Sequence, residues 1–293
     1  MTRDVVKVKL RRFIAEYLSG FVYLLYSLRF KLLNFNNNPP VIILTPGKVG
    51  SSSIYYTLKK VINNKIFHIH NISKSGIKRS QISHMNSDRK SLPLHLIVSD
   101  LLSKKLKKYN GVINVITVVR EPISREISSY FQNTEFYRNS VESKNLEVNK
   151  VKSLEILNNI FKDNICLNLE DWLNDEILAN FGVDVFSQSF DNEKGYIILN
   201  KGQYRILLLK METMNQVFSN AIQEFLTLEK GVPLKNSNIG FNKHYAKQYK
   251  EIKNEFKISK TVLSLIINSK YFNQFYNEEK IKILDKWTNK QNK

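Results

Sequence analysis

The stretch VIILTPGKVGSSSIYYTLKK, Val41 to Lys60, decides how this chain is read. Its first five residues, Val41 to Thr45, carry no charge, as befits a strand buried on both faces of a sheet. A turn holding Gly47 and Gly50 follows, then three consecutive hydroxyls, Ser51, Ser52 and Ser53. Ile54, Leu58 and Val61 then recur at helical spacing. Strand, glycine-bearing turn and helix in this order aim backbone amides at a helix N-terminus, where N–H groups and the helix dipole favour an anion. Gly47, Lys48, Val49, Gly50 and the three serines are therefore expected to hold a phosphate-bearing ligand. The nucleoside-triphosphatase loop has a different order, G-x-x-x-x-G-K-[ST]. Here Lys48 precedes Gly50 and the hydroxyls follow it.

A second strand-to-helix junction is VINVITVVREPISREISSYFQN, Val112 to Asn133. Arg120 stands where the apolar run ends, Pro122 suits a first helical turn, and Ser128 lies about two turns further on. An arginine with a facing hydroxyl makes a second anion site, because the guanidinium presents fork-like donors to phosphate oxygens. RILLL, Arg205 to Leu209, reads as a third buried strand, and IFHIH, Ile66 to His70, as a fourth. Leu94, Ile97, Val98, Leu101 and Leu102 trace a helical stripe between them. Tyr245, Tyr249, Ile252 and Phe256 trace another in a helical C-terminal third, and Asn277 reads as the cap of a last helix ending at Trp287. The expected fold class is α/β: a P-loop-like three-layer fold with a central parallel sheet flanked by helices and a helical C-terminal region.

Composition narrows the classes. The 293 residues hold 45 Lys+Arg against 26 Asp+Glu, a net charge of +19, which predicts attraction to polyanions. Cys166 is the one cysteine, which excludes an intrachain disulfide framework and multi-thiolate metal sites, and fits a reducing compartment. No His/Cys/Asp/Glu spacing suggests a metal site. Lys104, Lys105, Lys107 and Lys108, with Lys74, Lys78, Arg79 and Arg89 upstream, read as a solvated basic face that an acidic glycan could also use.

Residues 1–38 read as a basic amphipathic N-terminal helix and linker, and 39–293 as one domain. The uncharged part of the N-terminal segment, Tyr17 to Leu28, is shorter than the ~18 residues of a membrane span. Lys7, Lys9, Arg11 and Arg12 are expected at water or lipid headgroups, and Phe13, Leu18 and Leu25 to bury. Two readings stand for this helix, packing on the domain or lying on an anionic membrane surface. The run NFNNNPP, Asn34 to Pro40, reads as a linker.

Together the two junctions resemble the sulfotransferases that use 3′-phosphoadenosine 5′-phosphosulfate (PAPS). TPGKVGSSSIYYTL is similar to that superfamily's 5′-phosphosulfate loop, and VVREPISREISSY to its 3′-phosphate motif. The resemblance implies that Lys48 and Ser51 to Ser53 hold the 5′-phosphosulfate, that Arg120 and Ser128 hold the 3′-phosphate, and that adenosine 3′,5′-bisphosphate (PAP) is released, with no metal expected. A narrower resemblance, to sulfotransferase-like bacterial capsular polysaccharide synthesis proteins, rests on EDWLNDEILANFGVDVFSQSFDNEKGY, LLLKMETM, NKHYAKQYKEIK and INSKYFNQFYNEEKIKILDKW. It implies a surface-glycan acceptor.

Sulfuryl transfer to a hydroxyl needs a base for the proton and cations for the leaving oxygens. Lys48 suits the leaving group. His68 and His70 alternate along one strand, so both project from one face, and either suits proton abstraction from a sugar. They follow the first helix, as paired histidines do in the glycan 2-O-sulfotransferases that this element resembles. His70 is preferred, being nearer the strand's carboxyl end, and Glu212 in LLLKMETM stands second. The expected function is thus a PAPS-dependent sulfotransferase, cytoplasmic or peripheral at the inner membrane face, with no nucleic-acid partner. Two alternatives remain: a magnesium-dependent P-loop kinase, disfavoured by the missing GK[ST], and a non-catalytic basic polyanion-binding protein.

Overall fold

The computed structural model describes residues 19–35, 38–85, 93–132, 150–162, 168–235 and 246–288. Lys7, Lys9, Arg11, Arg12, Phe13, Leu18, Arg89, Cys166 and Tyr245 lie outside them. Five strands form one sheet: β1 (Val41–Leu44), β2 (Ile66–Ile69), β3 (Ile113–Val119), β4 (Tyr196–Lys201) and β5 (Tyr204–Lys210), in the order β2-β1-β3-β5-β4. β1 pairs in parallel with β2 and β3, and β3 with β5, while β4 runs antiparallel to β5 at the edge. The expected central parallel sheet is found in β2, β1, β3 and β5, and is corrected at one edge, where β4 is antiparallel. Tyr204 pairs with Lys201 across the two-residue turn Gly202–Gln203, and Gly202 takes the positive φ (55°) that such a tight hairpin requires.

Side chains alternate between two buried layers. Ile42, Leu44, Val115, Ile206 and Leu208 face one, and Val41, Ile43, Ile116, Leu207 and Leu209 the other. The second layer is closed by α2 (Ser51–Leu58), through Ile54 and Leu58, and by the helix Met214–Leu226, through Phe218, Ile222 and Phe225. Val61 falls beyond the end of α2 and is exposed, so the helix is shorter than its periodicity suggested.

The first layer carries the remaining helices of six residues or more. They are α1 (Ser19–Leu32), α3 (Lys74–Met85), α4 (Leu94–Leu106), α5 (Pro122–Gln132), α6 (Lys150–Lys162) and α7 (Asn168–Leu173). After α8, the helix Met214–Leu226 named above, come α9 (Ala246–Glu255), α10 (Lys260–Ile267), α11 (Lys270–Phe275) and α12 (Lys280–Trp287). Glu279, rather than Asn277, occupies the cap position of α12.

The N-terminal helix packs on the domain. Phe30 of α1 is buried in the core and its ring meets that of Phe67 at 5.9 Å, while Tyr23 Oη donates to Asp100 of α4 at 2.9 Å. Leu25, expected to bury, is exposed. The expected linker is also partly core: Phe35 is buried and packs edge-on against Tyr109 at 5.3 Å.

A π-helical turn, Asn174–Leu178, continues α7 and turns Glu176 fully inward. Its carboxylate accepts from the backbone N–H groups of Ile72 (2.6 Å) and Ser73 (2.8 Å) and from Ser73 Oγ (2.6 Å), which ties the loop after β2 to the far side of the layer. A Cβ on Gly76 would collide with this carboxylate, so the start of α3 needs glycine there. Glu176→Ala strands two buried N–H donors and is expected to cost at least about 2–4 kcal/mol in urea unfolding. A loss below about 1 kcal/mol would contradict this account of the loop.

Candidate functional site

β1 pairs with β2 on one side and β3 on the other, and chain segments that leave the carboxyl ends of such strands flank a crevice where α/β sheets bind ligands. Thr45 to Gly50 leaves β1, His70 leaves β2, and Arg120 leaves β3. The two sequence junctions are joined directly. Arg120 Nη1 donates to the Lys48 carbonyl at 2.6 Å, and Arg125 Nε donates to the Gly47 carbonyl at 3.1 Å. Both guanidinium groups thus hold the loop by its carbonyls. Lys48 and Gly50 have φ of 72° and 77°, the left-handed turn that folds the loop back to open α2. Val49 serves by its backbone, since its side chain is core.

The two helix starts differ in their caps. At α2 the cap residue is Gly50, which offers no side-chain acceptor. At α5 the Glu121 carboxylate accepts from the N–H groups of Ile123 (2.8 Å) and Ser124 (2.9 Å), so the chain supplies its own anion there. An incoming anion therefore has a helix N-terminus at α2 and not at α5. Ser51 and Ser53 are buried in the first turn of α2, and Ser52 is half-buried. Ser128 sits half-buried on α5, and no hydrogen bond links it to Arg120.

Arg120 is anchored by Tyr271. The Tyr271 hydroxyl accepts from Arg120 N–H and donates to Arg120 C=O, both at 3.0 Å, and burial pushes this phenol's pKa far up, so the proton stays. Two lysines that sequence reasoning missed approach the same place from α9 and α12. Burial, and next the Arg120 charge, hold the Lys253 pKa below its ordinary value. Lys286 is exposed as a residue, yet partial desolvation of its ammonium lowers its pKa as well, opposed by Glu121, and its Nζ lies 3.5 Å from Ser124 Oγ. A repeated basic stripe is the only hint that sequence offers for these two.

Five cations, Lys48, Arg120, Arg125, Lys253 and Lys286, thus meet three carboxylates, Glu121, Glu126 and Glu212. The carboxylates are committed. Glu121 caps α5 and Glu126 pairs with Arg125. Glu212 accepts from Glu121 N–H and from Tyr276 Oη, each at 3.0 Å. Glu212 therefore positions the start of α5, a poor state for a base. The excess positive charge suits a ligand with more than one phosphate group.

The histidines form a pair with ring centroids 5.3 Å apart. His68 Nε2 lies 2.8 Å from Ser51 Oγ, so this histidine orients a hydroxyl of the loop. Tyr55 stacks on its other side at 5.7 Å. Burial first, then the neighbouring His70 and His95, lower its pKa to about 4. The unfolded chain takes this proton near pH 6.5, the folded one near 4, so the associated stability is complete above 6.5 and lost as pH falls toward 4. The loss expected from His68 is at most about 3 kcal/mol, and His68→Phe should flatten stability across that window. An unchanged pH dependence in this variant would refute the assignment.

His70 has the geometry of a base. Nδ1 donates to the Thr45 carbonyl at 2.8 Å, which leaves the lone pair on Nε2. Trp172 Nε1 donates to the His70 carbonyl at 3.0 Å and fixes the backbone. Burial lowers the His70 pKa, Arg125 and Lys48 lower it further, and the Thr45 bond opposes them, so the ring is neutral at neutral pH. Among the described residues no group of His, Cys, Asp and Glu could hold a metal ion.

Residues 145–277 match the family described as "Putative capsular polysaccharide synthesis protein". The match includes β4, β5, Glu212, Lys253 and Tyr271, and lies wholly beyond the loop after β1 and Arg120. No curated protein and no solved structure matches the chain.

Proposed function

We propose that this protein is a PAPS-dependent sulfotransferase acting on a hydroxyl of a bacterial surface glycan. The observation that carries the proposal is the juxtaposition of an uncapped α2 N-terminus, an excess of buried and half-buried cations, and a neutral histidine with its lone pair fixed. The glycan-related part draws on the family match. The sulfuryl donor draws on the P-loop-like Lys48–Ser53 segment and on the resemblance of both junctions to that superfamily.

In this reading Lys48, the amides of Val49 and Gly50 and the hydroxyls of Ser51 to Ser53 take the 5′-phosphosulfate end. Arg120 takes the 3′-phosphate, assisted by Lys253, Lys286 and Ser128. His70 Nε2 accepts the proton of the acceptor hydroxyl. The acceptor oxygen forms its bond to sulfur as the bond from sulfur to the bridging oxygen breaks, and Lys48 meets the charge left on that oxygen. His68 holds Ser51 in place for the same group. Such steps depend on position and charge stabilisation more than on covalent chemistry.

The test is transfer of labelled sulfate from PAPS to bacterial surface glycans, with wild type and Lys48→Ala compared. The proposal expects transfer by the wild type and loss of both rate and PAP affinity in the variant. Binding of any polyanion in proportion to charge, with steep salt dependence and no transfer, would favour a basic binding protein instead.

A further inference from the structure

We infer that α1 is an interfacial helix that docks the protein on an anionic lipid surface. α1 has 14 residues and is apolar on two opposite faces. One face is spent on the domain: Phe30 is buried, and Val22, Tyr26 and Leu33 pack against the same core. The other has no cover among the described residues: Phe21 and Leu24 are 55% exposed, Leu25 and Leu28 48%, and Leu32 86%.

At about 100° per residue, Leu24, Leu28, Phe21, Leu32 and Leu25 fall in that order across a sector of roughly 100°, with Phe30 on the opposite side. The flanks of the stripe are cationic. Lys31 lies about 20° beyond Leu24 and Arg29 about 40° beyond Leu25, and both are exposed. The basic end of α4 adjoins it. Lys105 Nζ reaches the Lys31 carbonyl at 3.5 Å, and exposed Lys107 and Lys108 follow on the next turn. An apolar stripe bordered by a cation on each side matches the boundary between acyl chains and anionic headgroups. The described part of the helix, 14 residues, spans about 21 Å, against the ~30 Å of a hydrocarbon core, and among the described residues no helix is long and apolar enough to cross a membrane.

Charge decides the occupant. A second copy of this chain would bring Arg29, Lys31 and the α4 lysines of one molecule against those of the other, whereas phosphatidylglycerol headgroups complement them. This inference is independent of the proposed chemistry, because none of its residues lies at the crevice beyond β1 and β3.

The experiment is co-sedimentation of the full chain with vesicles of phosphatidylcholine containing 30% phosphatidylglycerol, and with phosphatidylcholine alone. Leu24→Glu/Leu28→Glu and Arg29→Gln/Lys31→Gln double variants are carried beside the wild type, all checked by thermal unfolding and analytical ultracentrifugation. The affected side chains are exposed, so the fold should persist. Expected is binding to anionic vesicles that drops at least about tenfold in the leucine variant, about tenfold or more in the cation variant, and strongly on pure phosphatidylcholine. Wild-type binding to anionic vesicles by the leucine variant would overturn the inference. So would a concentration-dependent dimer that the leucine variant abolishes without any vesicle binding by the wild type.

Discussion

His70→Ala should retain PAP affinity within about twofold of wild type while turnover falls roughly 10²–10⁴-fold, the range that a positioned base contributes. The expectation follows from where the two nitrogens point. Nδ1 is spent on the Thr45 carbonyl and the Nε2 lone pair is left for an acceptor proton. The Nδ1 bond also braces the loop after β1, so the alanine variant could lose rate through loop movement. His70→Asn separates the two effects, since its amide can donate to Thr45 but cannot act as a base. It should recover thermal stability and stay as slow as the alanine variant. In wild type the acid limb of kcat/KM should fall below pH 6.5, because burial, Arg125 and Lys48 all lower the His70 pKa, and the rate is lost as protonation removes the lone pair. An acid limb above pH 6.5, or near-wild-type turnover in both variants, would remove His70 as base.

Arg120→Ala should reduce PAP affinity by about 100-fold, the effect expected when a charge-assisted phosphate contact is deleted in a half-dry site. Arg120 also holds the Lys48 carbonyl, so loss of affinity alone does not place it on the 3′-phosphate. ADP, which lacks that phosphate, separates the two roles. If Arg120 meets the 3′-phosphate, the variant binds PAP and ADP almost equally while wild type prefers PAP. An equal fall for both nucleotides would restrict Arg120 to clamping the loop and shift the 3′-phosphate to Lys253 and Lys286.

The strands that mattered most were readable because they are buried on both faces. Val41 to Thr45, Val112 to Val119 and Arg205 to Leu209 stand out as near-continuous apolar runs, and each matches an observed strand within a residue or two. β4 escaped because it is an edge strand with only part of its length buried, although Gly202–Gln203 between two apolar runs was a hairpin signal. Leu25 was misplaced on the N-terminal helix for the opposite reason. Apolar side chains all round it give no clear stripe, so periodicity could not tell that Phe30 buries and Leu25 does not. Phe35, alone among asparagines, looked like linker for lack of neighbours in sequence.

The same distinction holds at the site. Lys48, the serines and Arg120 were visible because each sits on a strand-to-helix junction, a local pattern. Lys253 and Lys286 come to Arg120 from over a hundred residues away, and Glu121 caps its own helix by a contact that only three-dimensional geometry fixes. His68 was expected beside the acceptor and is found on Ser51. Strand alternation gave its face and could not give its partner.

Calorimetric titration of the full chain with PAP, alongside ADP and ATP with magnesium, tests the central claim most directly. The account predicts one PAP per chain, bound more tightly than ADP and without need of magnesium, because in the proposed function Lys48 and Arg120 with Lys253 meet the two phosphate ends of this nucleotide directly. Binding of ATP only with magnesium and no response to PAP would contradict it.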